Sequence, residues 1–467
     1  MSKISLHFRT ITEVSELIKA KDISPVEITA AILERIDQLD SSLKSYATVM
    51  ADHAITAAQK AEAEITSGTY RGPLHGVPVA VKDLCFTKGV HTMGGTHALA
   101  EHIPSFDSTV VTKLESAGAV LLGKLNLTEG AMGGYNPRFQ IPVNPWNAER
   151  FAGASSSGSG VATAAGLCFG SLGSDTGGSI RFPAAHCGTV GLKPTWGRVS
   201  RYGVLALAES LDHVGPLTRS TADAGIVLEV ISGFDPNDPT SLPGPVPDML
   251  EGIDKGVEGV RIGLDLQYAT QDIDPELAEA VLAGVRVLQD LGAEIVEVQL
   301  PDMDPYVAAW PVLCSAEAVV AHEATYPSRR DDYGPWFRGW LDKGARVTGA
   351  EYAKANNLRA ACTGHLRRVF EEIDVLVCPS TSAPPHPVKP EELYGPLPEN
   401  REPKFQRFTA PFDFNGAPTL SAPCGFNSEG LPLSIQWVGK HLSEPLLCRI
   451  GHAYEGTTEW HNRHPNV

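Results

Sequence analysis

The sequence predicts an α/β fold: a central mixed, mostly parallel twisted sheet with helices on both faces. Strand, helix and strand patterns follow one another twice, across residues 76–124 and again across 260–300. Such alternation implies parallel pairing through crossover helices. The composition, 42% hydrophobic and 20% charged over 467 residues, is that of a packed globular chain with ample material for a core. No internal repeat is present.

The elements follow in order. Ser24-Pro25-Val26-Glu27 is a capping box with proline at the first helical position, and Ile28, Ile32, Ile36 and Leu39 continue at helical spacing, predicting a helix over about 25–39. "GVPVAVKDL" (76–84) reads as a strand, "STVVTKLESAG" (108–118) as a helix closed by Gly118, and "AVLLGK" (119–124) as the next strand. Further on come strand "VRIGL" (260–264), a helix opened by Asp274-Pro275 and stopped by Gly292, and strand "AEIVEVQL" (293–300). Leu277, Val281, Val285 and Leu288 give that helix its apolar stripe. Strands at "VLVCPS" (375–380) and "PLSIQWVG" (432–439) and a helix near 443–455 complete the pattern. The Pro/Asp/Gly-rich stretch 233–250 is the best linker candidate. Residues 382–405 form a long irregular excursion, uncommon unless functional.

A formal net charge of -17 argues against nucleic acid as a partner, because phosphate neutralisation needs clustered Lys and Arg. The first residues lack an apolar signal core and no uninterrupted apolar run of membrane-spanning length occurs, so no membrane association and a cytoplasmic protein are expected. The 8 cysteines are scattered without a CxxC pair, which predicts reduced, buried thiols, and the 15 histidines show no HExxH. No metal and no cofactor are expected.

Several segments bear on chemistry. "GAVLLGKL" (118–125) nearly matches the phosphate-binding loop, but Leu125 replaces its hydroxyl and the intervening residues read as a buried strand. No GxSxG elbow occurs. A Ser-His-Asp arrangement assembled from distant residues stays open, with His186 or His213 as base; both also read as polar groups satisfied near the core. In "GSLGSDTGGSIRFPAAHC" (170–187), Gly177 and Gly178 let the amides of Thr176 through Ser179 turn toward one point, as an oxyanion hole requires. A tight turn would explain the glycines but not the serine that follows. Lys82 ends the apolar strand, where desolvation would favour its neutral amine; an exposed strand end is the plainer reading. Asp175 and Arg181 flank the turn as supports of the loop or as an ordinary surface ion pair. "GASSSGSG" (153–160) by composition alone is a linker.

"GVPVAVKDL", "GASSSGSG" and "GSDTGGSIRFPAA", in this order, resemble the amidase signature family. The resemblance runs nearly the whole chain, through "GLKPTWGRVSRYGV" (191–204), "ESLDHVGPLTRSTAD" (209–223), "FNGAPTLSAPCGF" (414–426) and "LPLSIQW" (431–437). It implies one large domain over 1–467, with core motifs in about 70–225 and a variable lid or specificity region in about 301–410. It further implies a Ser-Ser-Lys triad: Ser179 as nucleophile, Ser155 in a cis peptide as proton shuttle, and Lys82 as base. Thr176, Gly177, Gly178 and Ser179 would supply the oxyanion hole, supported by Ser156, Asp175 and Arg181. Gly153 and Ala154 stand where the family usually shows paired glycines, and a cis Ala154–Ser155 bond is still expected.

The resemblance implies hydrolysis of small carboxylic amides, with aryl amides (as in aryl acylamidases) and carbamates (as in urethanases) among the related substrates. "AMGGYNP" (131–137) is expected to line the substrate pocket through Met132, Gly133 and Tyr135, or else to pack in the core. The aromatic region 308–341, with Trp310, Tyr333, Trp336, Phe337 and Trp340, reads as a lid over an apolar pocket or as a homodimer contact. Trp336 is its pocket candidate. The rival enzyme reading is the glutamine-hydrolysing component of a tRNA-dependent amidotransferase. A catalytically silent scaffold is disfavoured because Lys82, Ser155 and Ser179 are all present.

Overall fold

The computed structural model describes residues 5–398 and 403–467; residues 399–402 of the 382–405 excursion lie outside the described residues. The strands are β1 (Tyr46–Val49), β2 (Pro78–Lys82), β3 (Val120–Leu125), β4 (Gly170–Asp175), β5 (Val190–Lys193), β6 (His213–Thr218), β7 (Arg261–Leu264), β8 (Glu294–Glu297), β9 (Val375–Pro379), β10 (Thr419–Phe426) and β11 (Pro432–Gly439). They form one 11-stranded sheet in the order β1-β3-β2-β4-β6-β5-β10-β11-β9-β7-β8. The central strands β2 to β6 and β9 to β11 are buried, so helices cover both faces there.

Each helix predicted from periodicity is present. Pro25–Leu43 opens with the Ser24 and Glu27 capping box, and Pro275–Asp290 buries Leu277, Val281, Val285 and Leu288. Thr109–Ser116 and Glu444–Glu455 complete the set.

The sheet is mixed as expected, but the parallel share is smaller than the sequence pattern suggests. Among the described residues, four pairings are parallel (β2 with β3 and β4, β7 with β8 and β9) and six are antiparallel. The reason is the middle of the sheet, where β10 and β11 are joined by a tight turn closed by Gly430 N–H donating to Asn427 O; a turn that short permits only antiparallel pairing. Two parallel blocks therefore flank an antiparallel centre.

The 233–250 stretch is tied to the rest of the chain by buried carboxylates. Asp235 accepts from the Ser200 hydroxyl at 2.6 Å and Asp238 from the Arg201 amide at 2.8 Å. All 8 cysteines are buried and unbridged. The near match to a phosphate loop is the fully buried strand β3, and Lys124 Nζ donates to Cys85 O and Thr92 Oγ1, both at 2.7 Å. No helix among the described residues is long and apolar enough to cross a membrane.

Candidate active site

Strands β2 and β4 run parallel, so their carboxyl ends reach the same edge of the sheet. Beyond β4 the next neighbour, β6, runs the other way. Crevices form outside strand ends where such a sheet changes direction.

Lys82 is the last residue of β2 and is fully buried. Its Nζ donates to three hydroxyls: Ser155 Oγ at 2.6 Å, Ser156 Oγ at 2.9 Å and Ser174 Oγ at 2.9 Å. Burial pushes its pKa down to about 7, against the opposing pull of Asp175, Cys85 and Asp212. Near neutrality about half of the molecules thus hold this amine uncharged. The surface reading of Lys82 does not hold.

The "GASSSGSG" run is no linker. Ala154–Ser155 is a cis peptide, and the run continues into the buried helix Ser157–Ala164. A Cβ on Gly153, at φ +87°, would lie 2.7 Å from the Pro183 backbone, so only glycine fits beside the next helix, Arg181–Cys187. Ser156 ties the segment to its surroundings: its amide donates to Ser179 O at 3.3 Å, and its hydroxyl donates to Ser174 O at 3.2 Å.

The turn from Thr176 to Ser179 is held from both sides. Trp310 Nε1 donates to Thr176 O at 2.7 Å, and Thr409 Oγ1 to Gly177 O at 2.7 Å. Below it, Asp175 Oδ1 accepts from the Gly178 amide at 2.6 Å and Oδ2 from the Ile180 amide at 2.9 Å. This corrects the expected oxyanion set. The Gly178 N–H is engaged by Asp175, whereas the amides of Thr176, Gly177 and Ser179 have no partner among the described residues.

Asp175 and Arg181 are fully buried, not a surface pair; Arg181 donates to Asp175 through Nε at 3.0 Å and Nη2 at 2.9 Å. Burial alone would raise the Asp175 carboxyl, but the Arg181 guanidinium outweighs it and holds the acid below its usual range. Arg181 also reaches Asp413 at 2.6 Å. His213 lies on the far side, with Nδ1 3.1 Å from Asp175 O, and is fully buried.

Ser179 opens into a cavity of about 340 Å³. Met132, Gly133, Ala154, Phe182, Leu207, Trp310, Trp336, Phe405 and His186 stand in its wall. Among the described residues no Asp, Glu, Lys or Arg side chain lines it. Tyr135 is a correction: its ring is buried away from the cavity and its hydroxyl donates to Ser157 Oγ at 2.7 Å, bracing the loop from behind. A second cavity of about 250 Å³ lies behind Ser174 and Asp212, without Ser179 in its wall. Among the described residues no cluster of three or more His, Cys, Asp or Glu could hold a metal ion.

Sequence reading missed Ser174, Gln406, Thr409 and Asp413. Ser174 was within reach, since it lies near the end of the strand beside Lys82's own; the other three come from segments more than 200 residues away from the turn they brace.

The sequence model of the Amidase family matches residues 27–448. This chain belongs to the amidase family. It is 45% identical over 458 residues to AmiD of Mycobacterium tuberculosis, named as an inferred amidase, covering 98% of this chain and 96% of that one. It is 40% identical over 479 residues to the amidase component of the glutamyl-tRNA(Gln) amidotransferase of Geobacter sp. (strain M21), covering 97% and 98%. Its fold is similar to that of a bacterial aryl acylamidase of the amidase signature enzymes, with a TM-score of 0.87, 27% identity and 98% of each chain covered. The amidase is thus a hydrolase of amide C–N bonds.

Proposed function

We propose that this amidase hydrolyses small, uncharged carboxylic amides, aryl amides foremost and carbamates among them, through an acyl-enzyme on Ser179. The observation that carries the reading is the buried Lys82 amine 2.6 Å from Ser155 Oγ, on a segment docked against the turn that presents Ser179 to the cavity. The Ser156 hydroxyl already directs its proton to Ser174 O, so it can only accept from Lys82. The lone pair of a neutral Lys82 is then best used on Ser155, the shortest of its three contacts.

In this scheme Ser179 Oγ attacks the amide carbon while its proton passes through Ser155 to Lys82. The oxyanion is met by the amides of Gly177 and Ser179, with Thr176 beside them. Collapse breaks the C–N bond, and Ser155 hands the proton to the leaving nitrogen. Water then attacks the acyl carbon and gives a proton to the same relay. The carbon to Oγ bond breaks, Ser179 is reprotonated and the acid leaves.

The match to the amidotransferase component supports a second reading, glutamine as substrate. The cavity wall weighs against it. Glutamine carries an α-ammonium and an α-carboxylate, and burying either without a charged partner is costly. The deciding assay takes the purified chain over glutamine, an aliphatic amide, an anilide and a carbamate. Hydrolysis of the neutral amides with little or none of glutamine is expected, and Ser179→Ala should lower turnover by ~10⁴-fold or more. Preference for glutamine would overturn the substrate class, and unchanged turnover in the variant would overturn the mechanism.

A further inference from the structure

The cavity ends in a group of three rings brought together from separate segments: Phe151, His186 and His386. Phe151 stands 5.0 Å from His386 and 6.2 Å from His186, and the two imidazoles meet edge to face at 6.1 Å. Phe182 and His186, one helical turn apart, both face the cavity from the helix Arg181–Cys187. The backbone at His186 is fixed by Asn144 Nδ2, which donates to its carbonyl at 2.9 Å. Its side chain differs from every other wall residue on that helix: it is polar, only 7% exposed, and its Nδ1 has no hydrogen-bond partner among the described residues. A buried polar atom without a partner costs stability unless something supplies one.

Burial, with His386 adding to it, pushes His186 down to about 3, so the imidazole is neutral at any pH where the enzyme would act. A neutral imidazole offers one N–H and one lone pair. A hydroxyl can both donate and accept, so it suits either tautomer; a carboxylate or an ammonium suits neither the charge-free wall nor the ring. At 1.5 Å rise per residue, His186 lies roughly 10 Å along the helix from Ser179. A hydroxyl at the far side of a phenyl ring attached to the amide, with one hydrogen bond added, covers about that length.

We propose that His186 is a specificity-determining residue that hydrogen-bonds a hydroxyl carried on the distal edge of an aromatic amide substrate. The inference rests on the reading of this amidase as acting on neutral amides. It extends that reading from an apolar pocket to one with a single polar station at its end.

The test uses benzanilide and its two para-hydroxy isomers, one hydroxylated on the amine ring and one on the acyl ring. Wild type, His186→Phe and His186→Gln are compared by the ratio of kcat/KM for each isomer to that for benzanilide. Comparing ratios between enzymes cancels the intrinsic reactivity of each compound, and turnover of benzanilide shows that a variant is folded. In wild type one isomer is expected to be favoured; His186→Phe should lower that ratio by about tenfold, and His186→Gln, which keeps a donor and an acceptor, should retain most of it. Equal ratios in wild type and His186→Phe overturn this inference while leaving amide hydrolysis standing. No hydrolysis of any of the three by wild type overturns both.

Discussion

At the scale of single residues the decisive quantity is the charge on Lys82. Burial holds its pKa at about 7, and only the neutral amine has a lone pair to take a proton from Ser155. The sign follows directly. Below pH 7 the amine is protonated and the rate should fall about tenfold per pH unit; above it the rate should level off. A pH profile of kcat/KM on a neutral anilide, whose own charge does not change, measures this, and a flat profile from pH 9 to pH 5 would falsify a lysine base. Lys82→Arg keeps the charge but has no neutral form in this range, so it should be inactive across the whole profile. Lys82 was legible in the sequence because a lysine closing an apolar strand is an anomaly in pattern. Ser174 was not, because in "GSLGSD" nothing distinguishes a hydroxyl that faces Lys82 from one that packs.

At the scale of elements, the helix Ser157–Ala164 shows why the run of small residues exists. A Cβ on Gly158 would lie 2.5 Å from both Asn126 O and Ser45 O, and backbone atoms cannot swing aside. In an exposed helix Gly→Ala gains about 1 kcal/mol. Here Gly158→Ala is expected to lose about 1–3 kcal/mol instead, because the helix must lift off the end of β3. The urea midpoint measures the loss, and a stabilised variant would contradict the close approach. Helix boundaries and the two outer parallel blocks were legible from capping, turn residues and apolar periodicity. The strands β4, β5, β6 and β10 were not. Glycine, serine and proline fill much of them, and their burial on both faces removes the polar alternation that marks a strand from sequence.

At the scale of the whole molecule, one buried cation joins distant parts of the chain. Arg181 donates to Asp175 beside the Ser179 turn, to Asp413 and Thr409 O in the segment before β10, and to Gln436 Oε1 on β11. The site is therefore complete only when the last part of the chain has docked on the first half of the sheet. The family resemblance named Arg181 as support, but its partners 228 to 255 positions away belong to the tertiary fold and leave no local mark. Removing the guanidinium leaves Asp175 and Asp413 facing each other in the core with no counter-charge. Loss of one member of such a buried set costs about 3–5 kcal/mol. Arg181→Met should therefore lower the urea midpoint by a corresponding amount and take amidase activity with it. Asp413→Asn keeps a hydrogen-bond acceptor for Arg181 while Asp175 remains as counter-ion, so its cost should stay under about 2 kcal/mol. Measured side by side, the two variants separate charge compensation from packing. Equal losses would show that Asp413 is held for its charge, and a mild Arg181→Met would show that the tail docks without the ion pair.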